Sequence, residues 1–486
     1  MGTILGHLKP ESVFNHFEEI CKYPRPSKQE EKIAEYVVSV GERNNLKTVK
    51  DDFGNIIVYK PATPGFENRK TVVMQGHIDM VCEKNRGVEH DFDNDPIHPY
   101  IDGEWIKAKG TTLGADNGIG VAAALAVLED KTLKHGPLEF LFTLDEETGL
   151  TGASSLDTTL LKADILLNMD SEEEGSLYIG CSGGKTTMAN FTFSAEPVPA
   201  DSVAYEIKVL GLTGGHSGLE IQSGFGNAVK IINRLIWHST KHQTLRIAKI
   251  DGGNKHNAIP REAFATITIP QSHEADFLAY VTEFNKIVKD ENVTKDPNLS
   301  VTVEKCELPT EVMDIKTHRN LIDALYAIPH GVLKMSPDIE GLVETSTNLA
   351  IIDTKGTDVQ IVTSQRSSVA SEIRDSVDMV TSVFYLAQAK VTHGDGYPGW
   401  KPNIHSEILI LFKDSYKKLF GKEPEVKAIH AGLECGIIGE KYPGMDMISF
   451  GPTMFGVHSP DERLKIDTVE PFYKLLTEVL ENVASK

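Results

Sequence analysis

The sequence contains no run of about 18 apolar residues, so no membrane-crossing helix is expected. Cysteine is scarce and scattered. The five, Cys21, Cys82, Cys181, Cys306 and Cys435, form no CxxC pair. That pattern argues against a disulfide framework and a thiolate zinc site, and it points to a reducing compartment. Positive charge is in deficit: 49 Lys and Arg stand against 70 Asp and Glu, a formal charge of −21. Nucleic acid and anionic membrane both need a basic face, so neither is expected as a partner. Most of the acid surplus serves solubility. The opening stretch, MGTILGHLKPESVFNHF, lacks a basic start followed by an apolar segment, so no signal peptide is read there. A cytoplasmic protein is the expectation.

At 486 residues the chain exceeds one ordinary core, and two or more domains are expected. Residues 10–22 have helical spacing, and Ser27 with Glu30 reads as a capping box for a helix near 28–45. NIIVYK (55–60), TVVMQG (71–76), LEFLFTL (138–144) and ADILLNM (163–169) read as strands, with a helix over 118–130. This alternation predicts an α/β domain around a largely buried central sheet. After Cys181 the texture changes to strand–helix units without strict alternation, an α+β insert of two similar-looking passages with no alignable repeat. THGDGYPGWKP (392–402) reads as a return linker. The remainder is again α/β, with helices near 406–420 and 469–484 and the strand MDMISFG.

The apolar strands end in metal-ligand residues. TVVMQG runs into His77 and Asp79, LEFLFTL into Asp145, Glu146 and Glu147, ADILLNM into Asp170, and MDMISFG toward His458. In an open α/β sheet the carboxyl ends of the strands share one rim, where sites form. Asp116, in the loop GADNG before a helix, can face the same rim. GADNGIG does not match GxGxxG, and its aspartate would repel a pyrophosphate, so a dinucleotide loop is rejected. Taken singly, each signal is ordinary. Together, two His and several carboxylates just after buried strands point to a catalytic metal site of zinc, or of manganese or cobalt. One of the paired glutamates can ligate while its neighbour takes a proton from the activated water. Asp79 fits a partner that fixes the His77 tautomer.

The motifs GHIDM, LGADNGIG, DEETG, NMDSEEEG, GGHSG, HNAIPREA, HAGLECG and GVHSPDE together resemble the aminoacylase/carboxypeptidase family of co-catalytic zinc peptidases, over essentially the whole chain. Within it the likeness is to the branch that splits Xaa-His dipeptides such as β-alanyl-histidine. The resemblance implies a zinc-binding α/β catalytic domain with a central mixed sheet (1–186 and 395–486), interrupted by an α+β lid domain (187–394). It implies two Zn2+ ions: His77 and Asp170 on one, Glu147 and His458 on the other, Asp116 bridging, with Mn2+ or Co2+ as substitutes. Glu146 would be the general base, Asp79 the orienter of His77, and His216 of GGHSG the lid histidine that stabilises the oxyanion. Asn257, Asn348 and Arg366 are candidates for gripping the substrate, the guanidinium fork suiting a terminal carboxylate; a structural salt bridge is the alternative for Arg366. Glu434 receives no role. Family members are often dimers, so a homodimer is allowed. Rival readings are an N-acyl amino acid deacylase or aminotripeptidase on the same scaffold and, from another class, a non-catalytic metal-stabilised peptide-binding protein.

Overall fold

The computed structural model describes residues 4–486. Met1, Gly2 and Thr3, the start of the stretch read for a signal peptide, lie outside the described residues. The chain forms two compact units. One runs to Gly180 and resumes over Trp400–Ala428 and Leu433–Lys486; the other takes Cys181–Gly399 and Ile429–Gly432. The boundaries expected at 186/187 and 394/395 therefore move outward. The strand Gly183–Thr192 already belongs to the second unit's sheet, and Tyr397 still pairs with Gly184. The return over Ile429–Gly432 has no signal in composition: it is made by the Ser182 N–H, which donates to the carbonyls of Ile429 and Ala431.

The first unit is built on an eight-stranded sheet. Four neighbouring strands, Leu138–Thr143, Val72–His77, Ile165–Asn168 and Asp446–Ser449, run parallel. Ile56–Lys60 and Lys47–Lys50 pair antiparallel on one side, and Ser176–Cys181 pairs antiparallel on the other. The sheet is thus mixed. Every residue of Val72–His77 and Leu138–Thr143 is buried, as their unbroken apolar runs require of strands covered on both faces. The helix Ala115–Glu129 is buried almost all round, because its small Ala and Gly residues admit both the Glu11–Ile20 helix and the sheet.

The expected capping box does not form. The second helix is Glu31–Arg43, and its N-cap residue, Glu30, makes no side-chain capping bond. Ser27 Oγ donates instead to Asp79 Oδ2 at 2.8 Å. Glu30 Oε1 accepts the backbone N–H groups of Lys28 and Asp145. Both side chains are drawn to the strand ends, where buried polar groups need partners more than an exposed helix turn does.

The second unit has a nine-stranded antiparallel sheet. Its helices Ala228–His242, Glu274–Asn292, Ile315–Ala327 and Ala370–Leu386 contribute Ile232, Phe277, Leu321 and Phe384 to a core shared with strand residues Ile207, Ile267 and Ile361. The two similar-looking passages join into one sheet through the register pair Gly252↔Ile352.

Phe142 lies fully buried on a central parallel strand. Phe142→Ala is expected to remove about 3–5 kcal/mol from the stability of the first unit. Equilibrium unfolding in urea checks this: the midpoint should fall while the slope with denaturant stays the same.

Candidate metal centre

The parallel strands set the acids and histidines on one rim. Val72–His77 ends in His77, one residue past Ile165–Asn168 lies Met169 and then Asp170, and Leu138–Thr143 leads into the DEE turn. The first of those three acids has a structural task. Asp145 takes a left-handed backbone (φ 50°), and its carboxylate accepts the hydroxyls of Thr148 and Thr151. That closes the turn and releases Glu146 and Glu147 toward the rim.

Asp79 is fully buried and organises the rim around itself. Its Oδ1 accepts from His77 Nδ1 at 3.2 Å and from the Glu146 N–H at 3.1 Å, and its Oδ2 accepts the Glu147 N–H at 3.2 Å. One carboxylate therefore holds the imidazole and the backbone of both glutamates. Nε2 of His77 faces Asp116 Oδ1 at 3.1 Å and Asp170 Oδ1 at 3.3 Å. The second oxygen of Asp116 faces His458 Nε2 at 3.2 Å, and Glu147 Oε2 lies 3.0 Å from the same nitrogen. His458 is held in a left-handed conformation (φ 62°), a backbone cost that the surrounding turn sustains.

Three groups of metal-competent atoms lie within 4.8 Å of one another: His77, Asp116 and Asp170; His77, Glu146 and Glu147; and Asp116, Glu147 and His458. At His77 and again at His458, one imidazole nitrogen meets two carboxylate oxygens. Acceptors do not gather in that way without a proton or a cation between them. Glu147 Oε1 is also buried without a partner. Two divalent ions sharing Asp116 fit this donor set of imidazole and carboxylate.

The titration behaviour of the ion-free protein reports the same demand. Burial alone would lower the His77 pKa, but Asp170, Asp116 and Asp79 outweigh it and hold the value well above the usual range. Hydrogen bonds to Asp116 and Glu147 push His458 up to about 11. Burial, with the nearby Asp170, Glu147 and Glu434, raises the Glu146 carboxyl well above the carboxylate range despite the pull of His77. Burial also drives Glu434 up to about 7. Its Oε2 accepts from Thr143 Oγ1 at 2.8 Å and from Gln75 Nε2, while Oε1 has no partner.

In the second unit His216 is half-buried. Its Nδ1 accepts the N–H groups of Gly218 and Leu219 at 3.2 and 3.0 Å. Burial, then Arg366, lowers its pKa. The two N–H groups donated to Nδ1 put the proton of the neutral tautomer on Nε2, for which no partner is seen among the described residues. Arg366 Nη1 donates to the Tyr397 hydroxyl at 2.8 Å, and its buried Nε has no partner. Among the described residues it makes no ion pair, which removes the structural salt bridge as its explanation. Asn348 Nδ2 donates to the Ala258 carbonyl at 2.8 Å and leaves a buried Oδ1 unpartnered. Asn257 is exposed and lines a cleft of about 620 Å³ with His216.

Sequence reasoning passed over His430. Its Nε2 bonds Ser346 Oγ at 2.7 Å, and burial with the charge of Arg366 lowers its pKa to about 3. Gly218 brings this group together: a Cβ there would lie 2.2 Å from the His430 carbonyl oxygen and 3.1 Å from His216 Cε1. The only signal was the His within HAGLECG, a motif read for its glutamate.

The model of peptidase family M20/M25/M40 matches residues 73–482. The cytosol non-specific dipeptidase of Escherichia coli is 44% identical over 482 residues, spanning 99% of both chains. The crystal structure of an aminoacylhistidine dipeptidase from Vibrio alginolyticus superposes with a TM-score of 0.93 at 44% identity, covering 99% of this chain and 98% of that one. An aminopeptidase structure from Bacillus cereus, at 17% identity and a TM-score of 0.58, shares the fold alone. No helix among the described residues is long and apolar enough to cross a membrane.

A metal must displace the protons that His77 and His458 carry in the ion-free protein. Apparent affinity for zinc is therefore expected to rise with pH between about 6 and 8, with protons released on uptake. Calorimetry in buffers of different ionisation enthalpy measures the release. Uptake without proton release would mean that the ions do not reach these imidazoles.

Proposed function

The chain belongs to peptidase family M20/M25/M40, and on that premise we propose that it hydrolyses dipeptides, Xaa-His pairs including β-alanyl-histidine among them, in the cytosol. The observation that carries the metal-dependent reading is the two-faced carboxylate of Asp116, one oxygen toward His77 and the other toward His458. The dipeptide reading draws on the two relatives that match this chain nearly end to end at 44% identity, each of them named a dipeptidase.

His77 and Asp170 would hold one zinc ion, Glu147 and His458 the other, and Asp116 both. When bound, the ions lower the pKa of a water at the site and polarise the scissile carbonyl. Manganese or cobalt would suit the same donors.

Glu146 is the proposed general base. It sits beside Glu147 on a turn whose backbone Asp79 holds, and burial among acids gives its carboxylate a high proton affinity. It takes the proton from the attacking water and delivers it to the nitrogen of the leaving amine, so one group serves both half-steps. Asp79 keeps His77 in the tautomer that leaves Nε2 free to ligate. His216 is the proposed oxyanion partner: a neutral ring whose Nε2–H is uncommitted can donate without bringing a charge that the metals would repel. Arg366 is the proposed anchor for the terminal carboxylate, since its Nε is buried and unpaired. Asn348 Oδ1 and the exposed Asn257 are proposed to bond the peptide.

Steady-state assays with β-alanyl-histidine, an acetylated amino acid and a tripeptide test the substrate class. Turnover confined to the acetylated amino acid or the tripeptide would overturn the dipeptide reading. Glu146→Gln is expected to retain both metals by elemental analysis while kcat falls roughly 10²–10⁴-fold; near-normal kcat in the metal-loaded variant would refute the base. His216→Ala is expected to lower kcat roughly 10²–10³-fold with unchanged metal content. Unchanged turnover would leave His216 as the anchor of a glycine-rich turn and nothing more.

A further inference from the structure

Glu462, the last residue of GVHSPDE, is 2% exposed and has no cationic partner among the described residues. Its carboxylate is given over to the backbone at the start of the Ala115–Glu129 helix. Oε2 accepts the N–H of Leu113 at 2.7 Å and of Gly114 at 2.9 Å; Oε1 accepts the N–H of Ala115 at 2.7 Å and of Asp116 at 3.3 Å. These donors come from the loop and the irregular backbone before the kink at Asp116 and Asn117, where the chain is not helical and offers no regular backbone acceptor, and no side chain of the helix caps them. A carboxylate is a strong acceptor for such a group of buried N–H donors.

Gly114 is also held from the other side. Arg25, also 2% exposed, donates through Nη2 to the Gly114 carbonyl and through Nη1 to the Asp79 carbonyl at 2.9 Å. Gly114 itself must be glycine: its φ is +70°, and a Cβ would strike Arg25 Nη2 and Met80 Sδ. The peptide group between Gly114 and Ala115, one before that of Asp116, is thus fastened at its N–H by Glu462 and at its carbonyl by Arg25. Glu462 lies on the turn that also carries His458, where the Glu462 N–H donates to the Ser459 carbonyl at 3.0 Å. Asp116 and His458, which face each other at 3.2 Å, come from loops that this one carboxylate ties together.

We propose that Glu462 is a positioning residue that sets the orientation of Asp116 relative to His458, and so controls the metal position formed by Asp116, Glu147 and His458 more than the one formed by His77 and Asp170. The inference rests on the reading of Asp116 as a shared ligand. Asp116 must aim its two oxygens at separate nitrogens, and a rotation of its backbone would misdirect both. The buried His77 imidazole is also held at its other nitrogen by Asp79, whereas the exposed His458 is seen to face only Asp116 and Glu147 among the described residues.

The test uses the full chain stripped of metal, titrated with zinc against a competing chelator, as wild type, Glu462→Gln and the exposed-neighbour control Asp461→Asn. Glu462→Gln preserves size but turns an amide NH2 toward backbone N–H groups. Wild type and Asp461→Asn should take up two ions. Glu462→Gln should keep one tight uptake step and weaken the other roughly 10–100-fold, with a thermal midpoint close to wild type. Its lost turnover should return as zinc is raised. Two uptake steps of wild-type affinity would overturn the proposal, and so would equal weakening of both steps with a lowered thermal midpoint, the mark of general structural damage. Should Glu462→Gln fail to fold, amide hydrogen exchange on the wild type decides. Protection of the Leu113–Asp116 amides without metal supports the clamp, and exchange at open-loop rates overturns it. A wild type holding fewer than two ions is a separate result: it would overturn the shared-ligand reading and this inference with it.

Discussion

The first unit is organised around a concentration of like charge. Asp79, Asp116, Glu146, Glu147, Asp170 and Glu434 gather where parallel strands end, with His77 and His458 among them. Such a cluster is tolerable only if each carboxylate is matched by hydrogen-bond donors, protons or cations. Asp79 is matched by backbone and side-chain donors. Asp116, Glu147 and Asp170 face imidazole nitrogens, and Asp116 and Asp170 also face each other. That difference separates an acid that supports the rim from the acids of the candidate metal centre, and it comes from local geometry rather than residue type.

Beneath the rim runs a second polar layer. Gln75, Asn168 and Ser449 are register partners on adjacent parallel strands, so their side chains share one face. Their bonds run in one direction. Ser449 Oγ donates to Asn168 Oδ1, Asn168 Nδ2 donates to Gln75 Oε1, and Gln75 Nε2 donates to Glu434. A chain in which every member gives toward the next needs an acceptor at its end, and Glu434 is that acceptor. This accounts for a fully buried carboxylate that motif reasoning left without a role. The network also locks the spacing of three strands whose ends carry the rim, since a slip of one residue would leave each of these polar groups unpaired.

One group of side chains in the second unit differs from this acid cluster. His216, Arg366 and His430 lie close together, and burial with the arginine charge keeps both histidines neutral. Arg366 retains an unpaired buried Nε beside a hydroxyl partner rather than a carboxylate.

Much of this was legible in the chain. Apolar runs of six residues that end in His or acid announce buried parallel strands, and the carboxyl ends of such strands share one rim. Residues 77, 79, 116, 145–147, 170 and 458 could therefore be gathered on paper, and the family resemblance alone singled out five of them as ligands. Local pattern misled where a side chain serves a distant partner. Ser27 and Glu30 have the spacing of a capping box, yet one bonds Asp79 and the other Asp145. The domain boundaries moved because strand pairing, not composition, decides which unit a segment joins. Arg25 was passed over because nothing in its neighbours distinguishes it, and His430 and Glu462 because HAGLECG and GVHSPDE were read for Glu434 and His458. Sequence by itself determined the chemistry available and the end of the sheet where it collects, since periodicity and strand termini are local properties. Only the tertiary structure decided which oxygen faces which nitrogen and which acid caps which loop. Those choices join residues hundreds of positions apart, and burial leaves each polar group only the partner that packing brings to it.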